Sequence, residues 1–120
     1  MKKSHFIYGV IVFVIILLFL YGYYNSNKPG QYDGVAKCLT EKGVKMYGAY
    51  WCPHCAEQKR LFGKSFDYID YIECAIPGDN SRQTEICIKE NITGYPTWDI
   101  NGERVSGTHE PTELASLAGC

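Results

Sequence analysis

Two cysteines stand three positions apart in Cys52-Pro53-His54-Cys55. Thiols at that spacing on a helix start can close a disulfide without moving the backbone. Pro53 suits the first helical position, where its missing N–H loses no bond. The first sulfur then lies beside unpaired N–H groups at the positive end of the helix dipole. Such surroundings favour thiolate, the nucleophile of disulfide exchange. Cys52 is therefore expected to be the attacking, exposed sulfur and Cys55, one turn further in, the resolving one. Exchange would pass through a mixed disulfide on Cys52. Pro53 and His54 tune the centre. A cation or donor on His54 stabilises reduced Cys52 and makes the disulfide more oxidising, about 30 mV for each roughly 1.4 kcal/mol. A structural zinc site needs a second close Cys/His pair, whereas twelve residues separate Cys74 from Cys87, so no metal is expected.

The surrounding pattern supplies the elements that must hold this centre. Asp33 reads as the N-cap of a helix to about Lys42, with Val35, Cys38 and Leu39 on one face and Gly43 as its stop. Val44–Tyr50 has strand composition and leads into Trp51-Cys52. A helix is expected from Pro53 to about Gly63, a strand over Phe66–Cys74, a loop at Pro77-Gly78-Asp79-Asn80, and a helix from Ser81 to about Asn91. Thr97–Ile100 and Glu103–Val105 flank Asn101-Gly102, a strong hairpin signal. A last helix begins near Pro111 and ends at Gly119. The order α-β-α-β-α-β-β-α predicts an α/β fold, a mixed central sheet with helices on both faces. With fewer than 90 residues in the domain, the core is small and a covalent staple would help it.

Residues 6–24 form an uncharged run of 19 residues, long enough as a helix to cross a hydrocarbon core of about 30 Å. Lys2 and Lys3 precede it and Lys28 alone follows closely. The positive-inside bias therefore places residues 1–5 in the cytoplasm and the rest outside. The run exceeds the apolar region of a signal peptide and lacks an Ala-x-Ala site, so an uncleaved single-pass anchor is expected. Residues 25–33 read as a polar linker and 34–120 as the folded domain. That domain has nine Lys and Arg against twelve Asp and Glu, a balance of −3, with no basic patch to suggest nucleic acid. Six cysteines and an exported location support each other.

Trp51-Cys52-x-x-Cys55 after a strand and Tyr95-Pro96-Thr97 before the hairpin resemble the thioredoxin superfamily over essentially all of residues 34–120. More narrowly, Met46-Tyr-Gly-Ala-Tyr-Trp-Cys-Pro-His-Cys55, then Cys74 and Cys87, then Gly94-Tyr-Pro-Thr-Trp98 and Ile100-Asn-Gly102 are similar to a particular branch. This is the thioredoxin-like domain fused to bacterial vitamin K epoxide reductase homologues. The resemblance implies a thioredoxin-like fold and a thiol–disulfide oxidoreductase that needs no cofactor of its own. Pro96 would be a cis-proline facing Cys52–Cys55, and the Tyr95 backbone would pair with an extended substrate segment. Cys74 and Cys87 would form a second disulfide, structural or redox-linked. The partner would be a separate membrane quinone reductase of the vitamin K epoxide reductase type that reoxidises Cys52–Cys55, and the substrates cysteine-containing exported proteins. Met46 stands where thioredoxins carry a buried acid, and Pro-His replaces Gly-Pro; both departures argue against a general reductant.

Trp51 and Tyr95 are expected to form a shallow docking surface beside Cys52 and Pro96, and Trp98 to lie in the core. His109 is expected to be solvated. Cys38 shares a face with Val35 and Leu39 and is expected to be a buried free thiol, with the terminal Cys120 exposed; a Cys38–Cys120 pair would use every cysteine, but first and last helices usually cover opposite faces of such a sheet. Two other functions use the same residues: a thiol reductant or disulfide isomerase, and a tethered binding domain whose cysteines only hold the fold.

Overall fold

The computed structural model describes all 120 residues. Its first element is α1 (Lys2–Ser26), a 25-residue helix with mean hydropathy 2.5 over its most apolar window and no buried residue. It is the one helix here long and apolar enough to cross a membrane. The helix continues through Asn25 and Ser26, the first two residues of the polar stretch.

The domain is built on four strands. β1 (Lys45–Gly48) lies between β2 (Asp70–Glu73), with which it runs parallel, and β5 (Thr97–Ile100), to which it is antiparallel. The edge strand β6 (Glu103–Ser106) pairs with β5 through the Asn101-Gly102 turn, whose two residues take the positive φ values of 55° and 87° that this hairpin turn requires. Alternation along β1 sends Met46 to one face and Tyr47 to the other. The Met46 face carries the larger core: Trp98 and Ile100 from β5, with Leu39 of α2 (Asp33–Glu41), Phe62 of α3 (Pro53–Phe62) and Leu114 of α5 (Pro111–Ala118). On the Tyr47 face a smaller cluster joins Cys74, Ile92 and Cys87 of α4 (Glu85–Lys89). Helices therefore cover both faces of a mixed sheet, in the thioredoxin-like arrangement. Trp98 is fully buried.

Three expectations change. The strand over 66–74 is shortened to β2, because residues Gly63–Tyr68 wind into a 3₁₀ turn. That turn packs the Phe66 ring between Phe62 and Tyr71 and buries Ser65, whose hydroxyl accepts from Tyr32 N at 2.9 Å and donates to Asp33 Oδ1 at 2.8 Å. Packing overrides the local strand propensity. Ser81 does not start a helix. Pro77-Gly78 instead turns a hairpin of β3 (Ala75–Ile76) and β4 (Asp79–Gln83), and α4 begins only after Thr84. Thr84 is held by its N–H on the Cys74 carbonyl at 2.9 Å and its hydroxyl on the Glu73 carbonyl at 3.2 Å.

The third correction concerns Cys38 and Cys120, which form a disulfide with Cα atoms 6.1 Å apart. Cys38 is not a free thiol. No strand precedes α2 in the sheet, so α2 is not a crossover between strands and need not take the face opposite α5. Its Ala36 and Leu39 share the Met46 core with Leu114 and Ala118 of α5, and the two helices lie against each other.

Candidate redox site

Cys52 and Cys55 are the two free cysteines; the other four form Cys38–Cys120 and Cys74–Cys87. Cys52 is the N-cap of α3 in extended backbone, and Pro53 opens the helix behind it. The Cys52 sulfur accepts from the Cys55 N–H at 3.3 Å, which satisfies one of the orphan donors of the helix start. The two sulfurs are thus brought to one helical turn, as the spacing required.

The peptide bond between Tyr95 and Pro96 is cis. The Cys52 sulfur lies 3.7 Å from the Tyr95 carbonyl oxygen, so the Tyr95-Pro96 turn faces the cysteine pair. That turn also shelters it. Cys52 is 5% exposed and Cys55 1%, which corrects the expectation of an open attacking sulfur. What is exposed is the rim: Tyr50, at 55%, and Trp51, at 43%, whose ring packs edge-on against Tyr95 at 5.9 Å. Tyr95 is held from behind by its hydroxyl, which accepts from Gln83 Nε2 at 2.5 Å. His54 is exposed beside Cys52, and its carbonyl accepts from the Thr108 hydroxyl at 3.1 Å.

Burial dominates the electrostatics of the inner cysteine. Loss of water pushes the Cys55 thiol up to about 12, against a smaller downward pull from a hydrogen bond to the Ala49 backbone. Tyr71 is pushed up by burial and by its hydrogen bond to the Glu73 carboxylate. Cys74–Cys87 lies on the opposite face of the sheet, in the cluster against which Tyr95 also packs. His109 is held rather than solvated: Nδ1 lies 3.1 Å from Glu113 Oε1 and Nε2 is 2.9 Å from the Ser106 carbonyl. No group of His, Cys, Asp or Glu side chains has the geometry of a metal site.

Several residues that shape the site were not singled out from the sequence. Gly48 is one, and its place inside a strand was the available signal, since such a glycine marks close approach of neighbours. Tyr71 and Glu73 are others; their two-residue spacing put them on one face, but the partner of that face was not visible. Gln58 had no signal beyond its place on the inner face of α3.

Fold and centre together define a class: a thioredoxin-like domain with a Cys-x-x-Cys pair at a helix N-terminus facing a cis-proline turn. Over 99 residues the chain is 44% identical to the thiol–disulfide oxidoreductase LTO1 of Arabidopsis thaliana, a match that covers 79% of this chain and 26% of that protein. The chain thus spans about a quarter of the length of this relative. No family model matches the chain.

Proposed function

We propose that this chain is a membrane-anchored, extracytoplasmic thiol–disulfide oxidoreductase that oxidises exported proteins through Cys52–Cys55. The observation that carries the reading is the free pair itself, with Cys52 capping α3 and facing the Tyr95 carbonyl while every other cysteine is paired. A substrate thiolate attacks the Cys52 sulfur of the oxidised centre, and Cys55 leaves. A second substrate thiolate then displaces Cys52 and closes the substrate disulfide. Trp51 and Tyr95 form the docking edge beside Cys52 and the buried Pro96, and an extended segment pairs there with the Tyr95 backbone. Pro53 and His54 set the poise. Cys74–Cys87 acts as a structural staple or as a second relay step. Electrons leave to a membrane quinone reductase of the vitamin K epoxide reductase type.

Residues 6–24 span the bilayer, 25–33 tether the domain 34–120 to it, and residues 1–5 remain in the cytoplasm. The oxidoreductase name of the Arabidopsis relative and the length and apolarity of α1 support this reading.

A Cys55→Ser chain tests it directly. Expressed in cells, it should accumulate mixed disulfides on Cys52 with exported proteins and with the quinone reductase, and failure to trap any partner would leave only a tethered binding domain. The Cys52–Cys55 couple should have a potential more positive than about −200 mV; a value below about −250 mV reverses the direction to reductant or isomerase. A membrane-impermeant thiol reagent should label reduced Cys52 from outside intact cells.

A further inference from the structure

Met46, on β1 beneath the cysteine pair, is apolar and fully buried, so that strand offers Cys55 no acid. A carboxylate approaches from the neighbouring strand instead. β1 and β2 run in parallel register with Met46 opposite Tyr71 and Gly48 opposite Glu73. Tyr71 and Glu73 therefore stand on one side of β2, and Tyr71 packs against the core that contains Cys55. Gly48 leaves room there. The point that a Cβ would occupy on Gly48 is 3.1 Å from the Cys55 sulfur, 3.1 Å from the Tyr71 hydroxyl and 2.8 Å from Tyr71 Cε2. Sulfur and hydroxyl are thus at most about 6 Å apart, a separation that one water molecule can bridge.

The hydroxyl donates to Glu73 Oε2. Oε1 of the same carboxylate accepts from Tyr50 N at 2.8 Å and from Ala75 N at 3.3 Å, which fixes its position. Glu73 is half-buried and keeps contact with solvent.

We propose that Tyr71 and Glu73 form a proton relay between the Cys55 thiol and water, an inference that rests on reading Cys52–Cys55 as a redox centre. The need for it follows from burial, which keeps Cys55 protonated at neutral pH. When Cys52 is in mixed disulfide with a partner, the Cys55 proton passes to a bridging water, a proton of that water passes to the Tyr71 oxygen, and the Tyr71 proton passes to Glu73. The Cys55 sulfur attacks Cys52, the Cys52–partner bond breaks, and the partner sulfur leaves with the electron pair. The cysteine pair is oxidised by two electrons and the partner disulfide is reduced. Glu73 returns its proton to water. Substrate oxidation runs the relay backwards and protonates Cys55 as it leaves.

The other groups that bear on Cys55 are few. Cys52 and Lys59 share its helix, Lys59 with its ammonium 4.2 Å from the centre of the Tyr71 ring. From β1 and its end, Gly48 and Ala49 contribute backbone only, and from the proline turn a carbonyl faces Cys52. Glu73 is thus the acid whose hydrogen-bonded partner, the Tyr71 hydroxyl, comes within about 6 Å of this thiol.

The full chain in detergent, reduced at Cys52 and Cys55, can be mixed with the aromatic disulfide dithionitrobenzoate. Cys52 releases one coloured thiolate on attack, and Cys55 releases a second when it resolves the mixed disulfide. In Glu73→Gln and Tyr71→Phe the first release should be unchanged and the second slowed by about tenfold or more at pH 7. The second rate should also rise steadily with pH in the variants, where hydroxide must replace the relay, and be flat near neutrality in the parent. Should Glu73→Gln lose the first release through misfolding, Tyr71→Phe keeps the ring against Phe66 and decides alone. Unchanged second release in the variants, or equal slowing of both releases with an unaltered pH profile, overturns the relay. A parent chain that gives no first release overturns the redox reading instead.

Discussion

Cys55 lies one helix turn inside Cys52, and its burial has a consequence of definite sign. The folded protein holds the Cys55 proton up to about 12 whereas an ordinary thiol releases it near 9.0. A raised value means that the unfolded chain binds fewer protons between those limits, so stability falls as pH rises through them. The contribution is fully present below about pH 9 and lost toward pH 12. Urea unfolding of a Cys52→Ala chain should therefore weaken more steeply from about pH 8 to about pH 10.5 than that of Cys52→Ala/Cys55→Ala. Parallel decline of the two chains would remove the effect. At this scale the cysteine pair was legible because its chemistry is local: two sulfurs, one proline and one helix start. The Tyr71–Glu73 pair was not, because its relation to Cys55 depends on the β1–β2 register and on the space left by Gly48.

Helix α3 carries the cysteines, and its direction is set at a buried amide. Gln58 is fully buried; its Oε1 accepts from Trp98 Nε1 at 3.2 Å and His109 N at 2.9 Å, and its Nε2 donates to the His109 carbonyl at 2.8 Å. One side chain thus fixes α3 to β5 and to the loop before α5. Gln58→Leu fills the volume but leaves these groups unpaired, and should lower stability by roughly 2–4 kcal/mol in urea unfolding. The same variant should loosen the contact of the Thr108 hydroxyl with the His54 carbonyl. Elements with strong punctuation were readable: Pro53 and Pro111 open helices, and Asn101-Gly102 turns a hairpin. The β3–β4 hairpin is not legible because Ser81 to Asn91 lacks a strong period, and Thr84, bonded to two distant carbonyls, decides where α4 starts.

At the scale of the molecule, Cys38–Cys120 joins residues 82 apart in sequence and ties α5 to α2. On the chain-entropy model a loop of that length contributes about 4.5 kcal/mol, against about 3 kcal/mol for the 13-residue separation of Cys74–Cys87. A Cys38→Ala/Cys120→Ala chain should accordingly lose up to about 4 kcal/mol in urea unfolding, yet release the first coloured thiolate at the parent rate. If thiol exchange at Cys52 fell together with stability, the staple would have a part in the centre itself. The domain meets its long helix through Lys64, whose ammonium donates to the carbonyls of Asn25 at 2.7 Å and Ser26 at 3.3 Å near the negative end of α1.

The sequence by itself determined the chemistry and the class: a Cys-x-x-Cys pair at a helix start, a Tyr-Pro turn before a hairpin, an apolar helix of spanning length. These are signals carried within a few residues, where spacing along the chain is spacing in space. Tertiary structure alone decided which distant groups meet. It placed α2 and α5 on one face and so paired Cys38 with Cys120, buried Cys52 beneath the Tyr95-Pro96 turn, and set Tyr71, the hydrogen-bond partner of Glu73, beside Cys55. Each outcome rests on which face an element buries and on strand register, which the whole core sets and no short segment encodes.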